Sequence, residues 1–176
     1  EDLIRLVLAD AALVFGSFTL LWAISMATRD SSLVDIWFSP CIALAAILGV
    51  FIAHGAEPRR ELIAVLATIW AVRLGGYLAW RNWGREDPRY ARFRKHIEDQ
   101  GKNFAWYSFT RINLYQGAMV FFGLAPIMVA QTAPTPEALG PLAYAGVALS
   151  LLGVTLQGFA DLQLARFKAD PANAGK

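Results

Sequence analysis

Five stretches of the chain are apolar over about twenty residues or more, and polar turns separate them. They run from about Leu6 to Ala27, Leu33 to Ala53, Glu61 to Trp80, Ala105 to Ala130 and Leu139 to Ala165. At ~1.5 Å of rise per residue, each is long enough to cross a hydrocarbon core of ~30 Å. Backbone N–H and C=O groups in lipid must find their partners within the segment, so each stretch is expected to be a helix. The pattern predicts an all-α, polytopic transmembrane bundle of five spans, with residues 1–176 forming one membrane domain.

The interruptions carry their own signals. Ser31 and Ser32 are candidate N-caps for the second span. Pro40 predicts a kink near that span's second turn, and Pro126 kinks or ends the fourth span. Gly75 and Gly76 would let a neighbouring backbone approach the third span closely. The longest interruption, 81–104, is basic and aromatic. Within it Asp87-Pro88 opens a short helix, with an acidic cap and proline at the first helical position. That helix places Tyr90, Phe93 and Ile97 on one side and Arg89, Arg92 and His96 on another, a division suited to a membrane surface.

Composition agrees with a membrane protein. Hydrophobic residues make up 56% of the chain and charged residues 17%, against roughly 25% charged in soluble domains. The single cysteine, Cys41, excludes a disulfide within the chain, and no metal-binding motif is present. His54 and His96 stand apart, so no metal is expected. Beside a membrane, the basic loop reads as a contact for anionic lipid or a phosphorylated cofactor rather than for nucleic acid.

The charges also orient the chain. With five spans, Arg29, the loop residues Arg81, Arg85, Arg89, Arg92, Arg94, Lys95 and Lys102, and the tail residues Arg166, Lys168 and Lys176 share one side. Arg5, Arg59 and Arg60 lie on the other. The positive-inside rule makes the first group cytoplasmic.

Polar residues within the spans are unevenly placed. Asp35 opens span two, and Arg73 and Tyr77 lie late in span three, four residues apart on one face. Arg111, Asn113 and Gln116 lie early in span four, and Gln157 and Asp161 late in span five. By rise per residue, all fall within roughly 15 Å of the cytoplasmic face. Asp10, near the outer end of span one, is expected to reach the interface. Long side chains near helix ends snorkel toward water, and Asp–Arg pairs in membranes can be structural glue. A set on four helices at matching depth points instead to a polar cavity open to the cytoplasm, lined by Arg73, Arg111, Asn113, Gln116 and Gln157. Asp35 and Asp161 are available to neutralise Arg73 and Arg111.

Three motifs carry a resemblance: SLVDIW at the start of span two, RLGGYLAWRNWGREDPRYARFR, and the tail DLQLARFKADPANAGK. Together they resemble a bacterial family of uncharacterised membrane proteins that is similar to the C-terminal domain of steroid 5-alpha-reductases. The resemblance covers nearly the whole chain. It implies an NADPH-dependent reductase of a carbon–carbon double bond conjugated to a carbonyl in a lipophilic, steroid- or enone-like substrate, placed in a bacterial inner membrane. A buried acid and a tyrosine would hold the carbonyl oxygen, and Asp35 and Tyr77 match those roles. Asp161 and Lys168 fall where the steroid reductases place residues near the cofactor. Asn173 and Lys176 belong to the tail motif, and Arg92 and Arg94 are within reach of cofactor phosphates. In the family the tail continues into a further cofactor motif, so the chain is expected to be incomplete at its C-terminus and inactive alone. Two other readings compete: a methyltransferase of the isoprenylcysteine type using S-adenosylmethionine, and a non-enzymatic membrane protein. The four arginines Arg85, Arg89, Arg92 and Arg94 favour the more anionic cofactor, NADPH.

Overall fold

The computed structural model describes residues 1–82 and 84–173, and these form helices joined by turns. Helix α1 spans Asp2–Thr28, α2 Leu33–Ile52, α3 Glu57–Arg81 and α4 Pro88–Asp99. The fourth apolar stretch, Phe104–Thr132, is built from α5 (Phe104–Ser108), a π-helical turn (Phe109–Asn113), α6 (Leu114–Gly123) and α7 (Ala125–Thr132). Helix α8 spans Pro141–Ala169. Five helical stretches are thus long and apolar enough to cross a membrane, as the sequence predicts. The backbone divides into two compact units, Glu1–Ala138 and Leu139–Lys176.

Within the first unit α2 packs most extensively on α3 and also meets α1, α6 and α7. Its buried side chains are small: Ser39, Cys41, Ala43, Ala45, Ala46 and Gly49 are among them. Lipid tails are as apolar as leucine, so helices in a bilayer associate by close packing, and small residues permit it. A Cβ on Gly75 would lie 3.2 Å from Pro40 Cγ and 3.3 Å from Ser39 Oγ, so this glycine sets the approach of α3 to α2. Gly76 meets no neighbour among the described residues. Larger side chains fill the space between α1 and α6–α7. Val14 and Phe18, and Val120, Leu124 and Met128, recur at four-residue spacing on single helix faces.

One expectation is corrected here. Asp10 does not reach the interface; it is 1% exposed. Helix α1 begins at Asp2, so Asp10 lies two turns inside, on the buried stripe Leu6–Asp10–Val14–Phe18. As expected, the fourth stretch is interrupted at Pro126: α6 ends at Gly123, α7 starts at Ala125, and Pro126 stands in its first turn, where a missing N–H costs little.

One end of this unit is closed by tight backbone contact. Gln131 Nε2 donates to Ala46 O at 2.7 Å, and Ala56 N donates to Ala133 O at 3.0 Å. A Cβ on Gly55 would lie 2.3 Å from Gln131 O and 2.7 Å from Ala133 O. Backbone oxygens cannot swing aside as a side chain can. Gly55→Ala should therefore destabilise the protein by ~1–3 kcal/mol, the usual cost of overpacking. Thermal unfolding in detergent reads this directly, and an unchanged midpoint would contradict it.

The second unit is the single long helix α8 and a following 3-10 turn, Pro171–Asn173. Arg166 and Lys168 stand in the last turn of α8, where cations complement the helix dipole. Asn173 Nδ2 donates to Phe167 O at 3.1 Å and covers one of the carbonyls that the helix end leaves open.

Candidate functional site

The site begins with the anchoring of α4. Asp87 is its N-cap: Oδ1 accepts from Arg89 N at 3.0 Å, and Pro88 follows at the first helical position. Asp87 also accepts from Arg81 Nη2 and from Arg89 Nε and Nη2, each at 3.1 Å. These bonds, with the Arg89 side chain first, hold the Asp87 carboxyl below the usual carboxylate range. Ser32 does begin α2, but its hydroxyl does not cap the helix. It donates to Asp30 Oδ1 at 2.6 Å and accepts from Asp87 N at 3.2 Å, so it ties the α3–α4 loop to the start of α2. Arg94 serves the same purpose. Its Nη2 donates to Glu86 Oε1 at 2.8 Å and to Arg29 O at 3.1 Å, and its guanidinium lies over the Phe104 ring.

This anchoring brings Tyr90 against Asp35. The phenol donates to Asp35 Oδ1 at 2.7 Å, and Gln116 Nε2 donates to both groups, at 3.2 Å and 3.3 Å. Arg89 Nη2 completes the cluster with a 3.1 Å bond to Asp35 Oδ2. Arg89 therefore pairs with Asp35. Tyr90 is 9% exposed. Burial first, and the adjacent Asp35 carboxylate second, push its phenol well above the usual tyrosine range. It therefore remains a neutral hydrogen-bond donor at any physiological pH.

Tyr90 and Gln116 form part of the wall of a cavity of about 370 Å³, completed by Phe38, Phe93, Tyr107, Arg111, Ile112, Tyr115 and Met119. Most of this lining is apolar or aromatic, and among the described residues Arg111 is its one charged member. A larger groove of about 650 Å³ shares Tyr107 and Arg111 with it and adds Lys102, Asn103, Trp106 and Thr110. Arg111 stands within the π-helical turn, an insertion often found at functional sites. Asn113 braces that turn: it is buried, and its Nδ2 donates to Ser108 O five residues back, at 3.2 Å.

The other sequence candidates lie as follows. Arg73 sits over the Tyr77 ring at 5.9 Å, as their spacing on α3 predicts, and Tyr77 packs on Trp80. Arg92 is exposed and lines a surface groove of about 440 Å³ with Arg89, Phe93 and His96. Phe93 does not share the burial of Tyr90 and Ile97; it is 51% exposed, between that groove and the cavity. Gln157, Asp161 and Lys168 are on α8, and Asn173 ends the turn after it. Lys176 lies outside the described residues. The sequence reading missed Tyr90 as a partner of Asp35. The signal was present: a tyrosine three residues after an Asp-Pro cap, beside an otherwise basic helix face.

A neutral phenol on a carboxylate, at the edge of an apolar cavity, is suited to hold a polar atom of a lipophilic molecule. The fold and this site define a polytopic helical membrane protein with a partly open, largely apolar cavity. Residues 21–176 match the family described as "Protein of unknown function (DUF1295)", and the chain belongs to that family. No curated protein and no solved structure matches it.

Proposed function

We propose that this chain belongs to a membrane enzyme that reduces a carbon–carbon double bond conjugated to a carbonyl in a lipophilic substrate, with NADPH as reductant. The observation that carries the reading is the 2.7 Å Tyr90–Asp35 bond at the wall of the apolar cavity. The resemblance of the quoted motifs to steroid 5-alpha-reductases supports it.

The chemistry asks for a donor at the carbonyl oxygen, where negative charge develops. Tyr90 supplies its O–H there. Tyr90 turns its O–H from Asp35 to that oxygen and keeps its proton, while Gln116 and the Asp35 carboxylate hold the phenol in place. The wall beside Tyr90 is largely apolar, which strengthens that hydrogen bond. Bound NADPH supplies the hydride that reaches the β carbon. Protonation at the α carbon from solvent completes the saturated carbonyl product. Tyr77, the original candidate for the tyrosine, keeps a place beside Arg73 in this reading.

The residues present fit an anionic cofactor. Arg92 and His96 are exposed on the α4 groove, which adjoins the cavity through Phe93. Positive groups around a groove next to an apolar cavity suit phosphates at one end and a nicotinamide at the other. The basic loop would face the cytoplasm, where NADPH is available.

Ligand-dependent thermal stability of the full-length protein in detergent tests the assignment. A ligand at about 100 times its Kd stabilises the folded state by ~2.7 kcal/mol. NADPH is expected to raise the unfolding midpoint, and S-adenosylmethionine is not. Stabilisation by S-adenosylmethionine alone would replace the reductase with a methyltransferase, and silence from both would favour a structural role.

A further inference from the structure

We infer that the cavity takes a single-chain amphiphile with an anionic head, and that Arg111 binds that head. The inference rests on the reading of this cavity as the substrate site and specifies the substrate class.

Arg111 is seven residues into the apolar stretch that begins at Phe104. Its side chain is exposed, so its charge faces the open mouth that the cavity and the groove share. Among the described residues Arg111 forms no hydrogen bond or ion pair. Arg89 and Arg94, by contrast, are both held by carboxylates. Among the described residues no carboxylate lines the cavity or the groove that share Arg111, and Lys102 adds a second cation at the groove. Charge complementarity therefore calls for an anion from outside the protein. Ile112, Tyr115 and Met119 continue from Arg111 along the cavity wall, so an apolar chain is the matching continuation of that anion. Tyr90 and Gln116 then meet a polar atom further along the same molecule. The charged end fixes which carbon stands at Tyr90, as a positioning contact does. An arginine also suits a carboxylate or phosphate head better than lysine because its donors form a planar fork.

Binding of dodecanoate, below its micellar concentration, would be compared with binding of 1-dodecanol, using the full-length protein in phosphatidylcholine nanodiscs. The acid should bind about tenfold more tightly than the alcohol, the effect of one charge-assisted contact. Arg111→Gln should abolish that preference, and Arg111→Lys should keep part of it. Equal affinity of the wild-type protein for acid and alcohol would overturn the inference. So would an acid preference that survives Arg111→Gln. If Arg111→Gln does not fold, the wild-type comparison and the lysine variant still decide. Addition of phosphatidylglycerol separates the two sources of anion: loss of the dodecanoate preference would assign Arg111 to a bilayer headgroup and overturn the substrate role. Failure of the reductase reading looks different, with the acid preference intact and no NADPH oxidation on any enone.

Discussion

Replacing Tyr90 with phenylalanine will lower the rate of double-bond reduction by about 10²–10³-fold, the usual cost of losing one donor to a developing oxyanion. The ring remains, so the cavity wall and the packing of α4 are retained. Only the O–H that reaches Asp35 at 2.7 Å is removed. Asp35→Asn should have a smaller loss in the same direction, because a neutral amide holds the phenol and Arg89 more weakly than the carboxylate does. It does not strand a charge, since Arg89 keeps its two side-chain bonds to Asp87. Tyr77→Phe should cost less, because Tyr77 stacks with Arg73 and Trp80 while the Asp35 carboxylate is bonded to Tyr90. Burial suppresses the acidity of Tyr90, so no loss of activity from its ionisation should appear between pH 6 and about 9. Steady-state rates of NADPH oxidation on an enone panel would check all of this. Full activity of a well-folded Tyr90→Phe protein would sink the proposed role.

The difference between Tyr77 and Tyr90 shows what the sequence carried. Hydropathy located all five spans, because a bilayer imposes length and apolarity on each span independently. The Asp87-Pro88 start of α4 was equally local, since a cap and a first-turn proline need only their own neighbours. Asp35 and Gln116 were singled out as polar residues inside spans, and they do meet. Their partner was a matter of tertiary structure. It depends on where the α3–α4 loop is fastened, and that depends on Ser32 accepting from Asp87 N and on Arg94 reaching Glu86 and Arg29. Periodicity within α4 gave no such distance. The π-helical turn at Phe109–Asn113 was hidden for a related reason. One extra residue in a turn leaves the apolar run unbroken, and only the structure shows the backbone bond from Leu114 N to Phe109 O and the Asn113 side chain on Ser108 O.

The fastening of α4 leads to the second large effect. Asp87→Ala should destabilise the protein by ~3 kcal/mol, by removing a helix cap and leaving Arg81 and Arg89 without a carboxylate they share. Activity should fall further than stability, because Tyr90 is positioned through this cap. Asp87→Asn keeps an acceptor for Arg89 N and should lie between the two. The effect has a defined dependence on pH. The folded protein holds the Asp87 carboxyl below its usual range, chiefly through Arg89. The ionised carboxylate therefore contributes fully above about pH 4, where an ordinary aspartate is already charged. Its contribution is lost as pH falls through the lower folded value. Unfolding midpoints of wild type and Asp87→Asn in detergent should differ by a constant amount from pH 5 to 8 and converge below pH 4. A gap that instead closes near neutral pH would place the stabilisation in some other group.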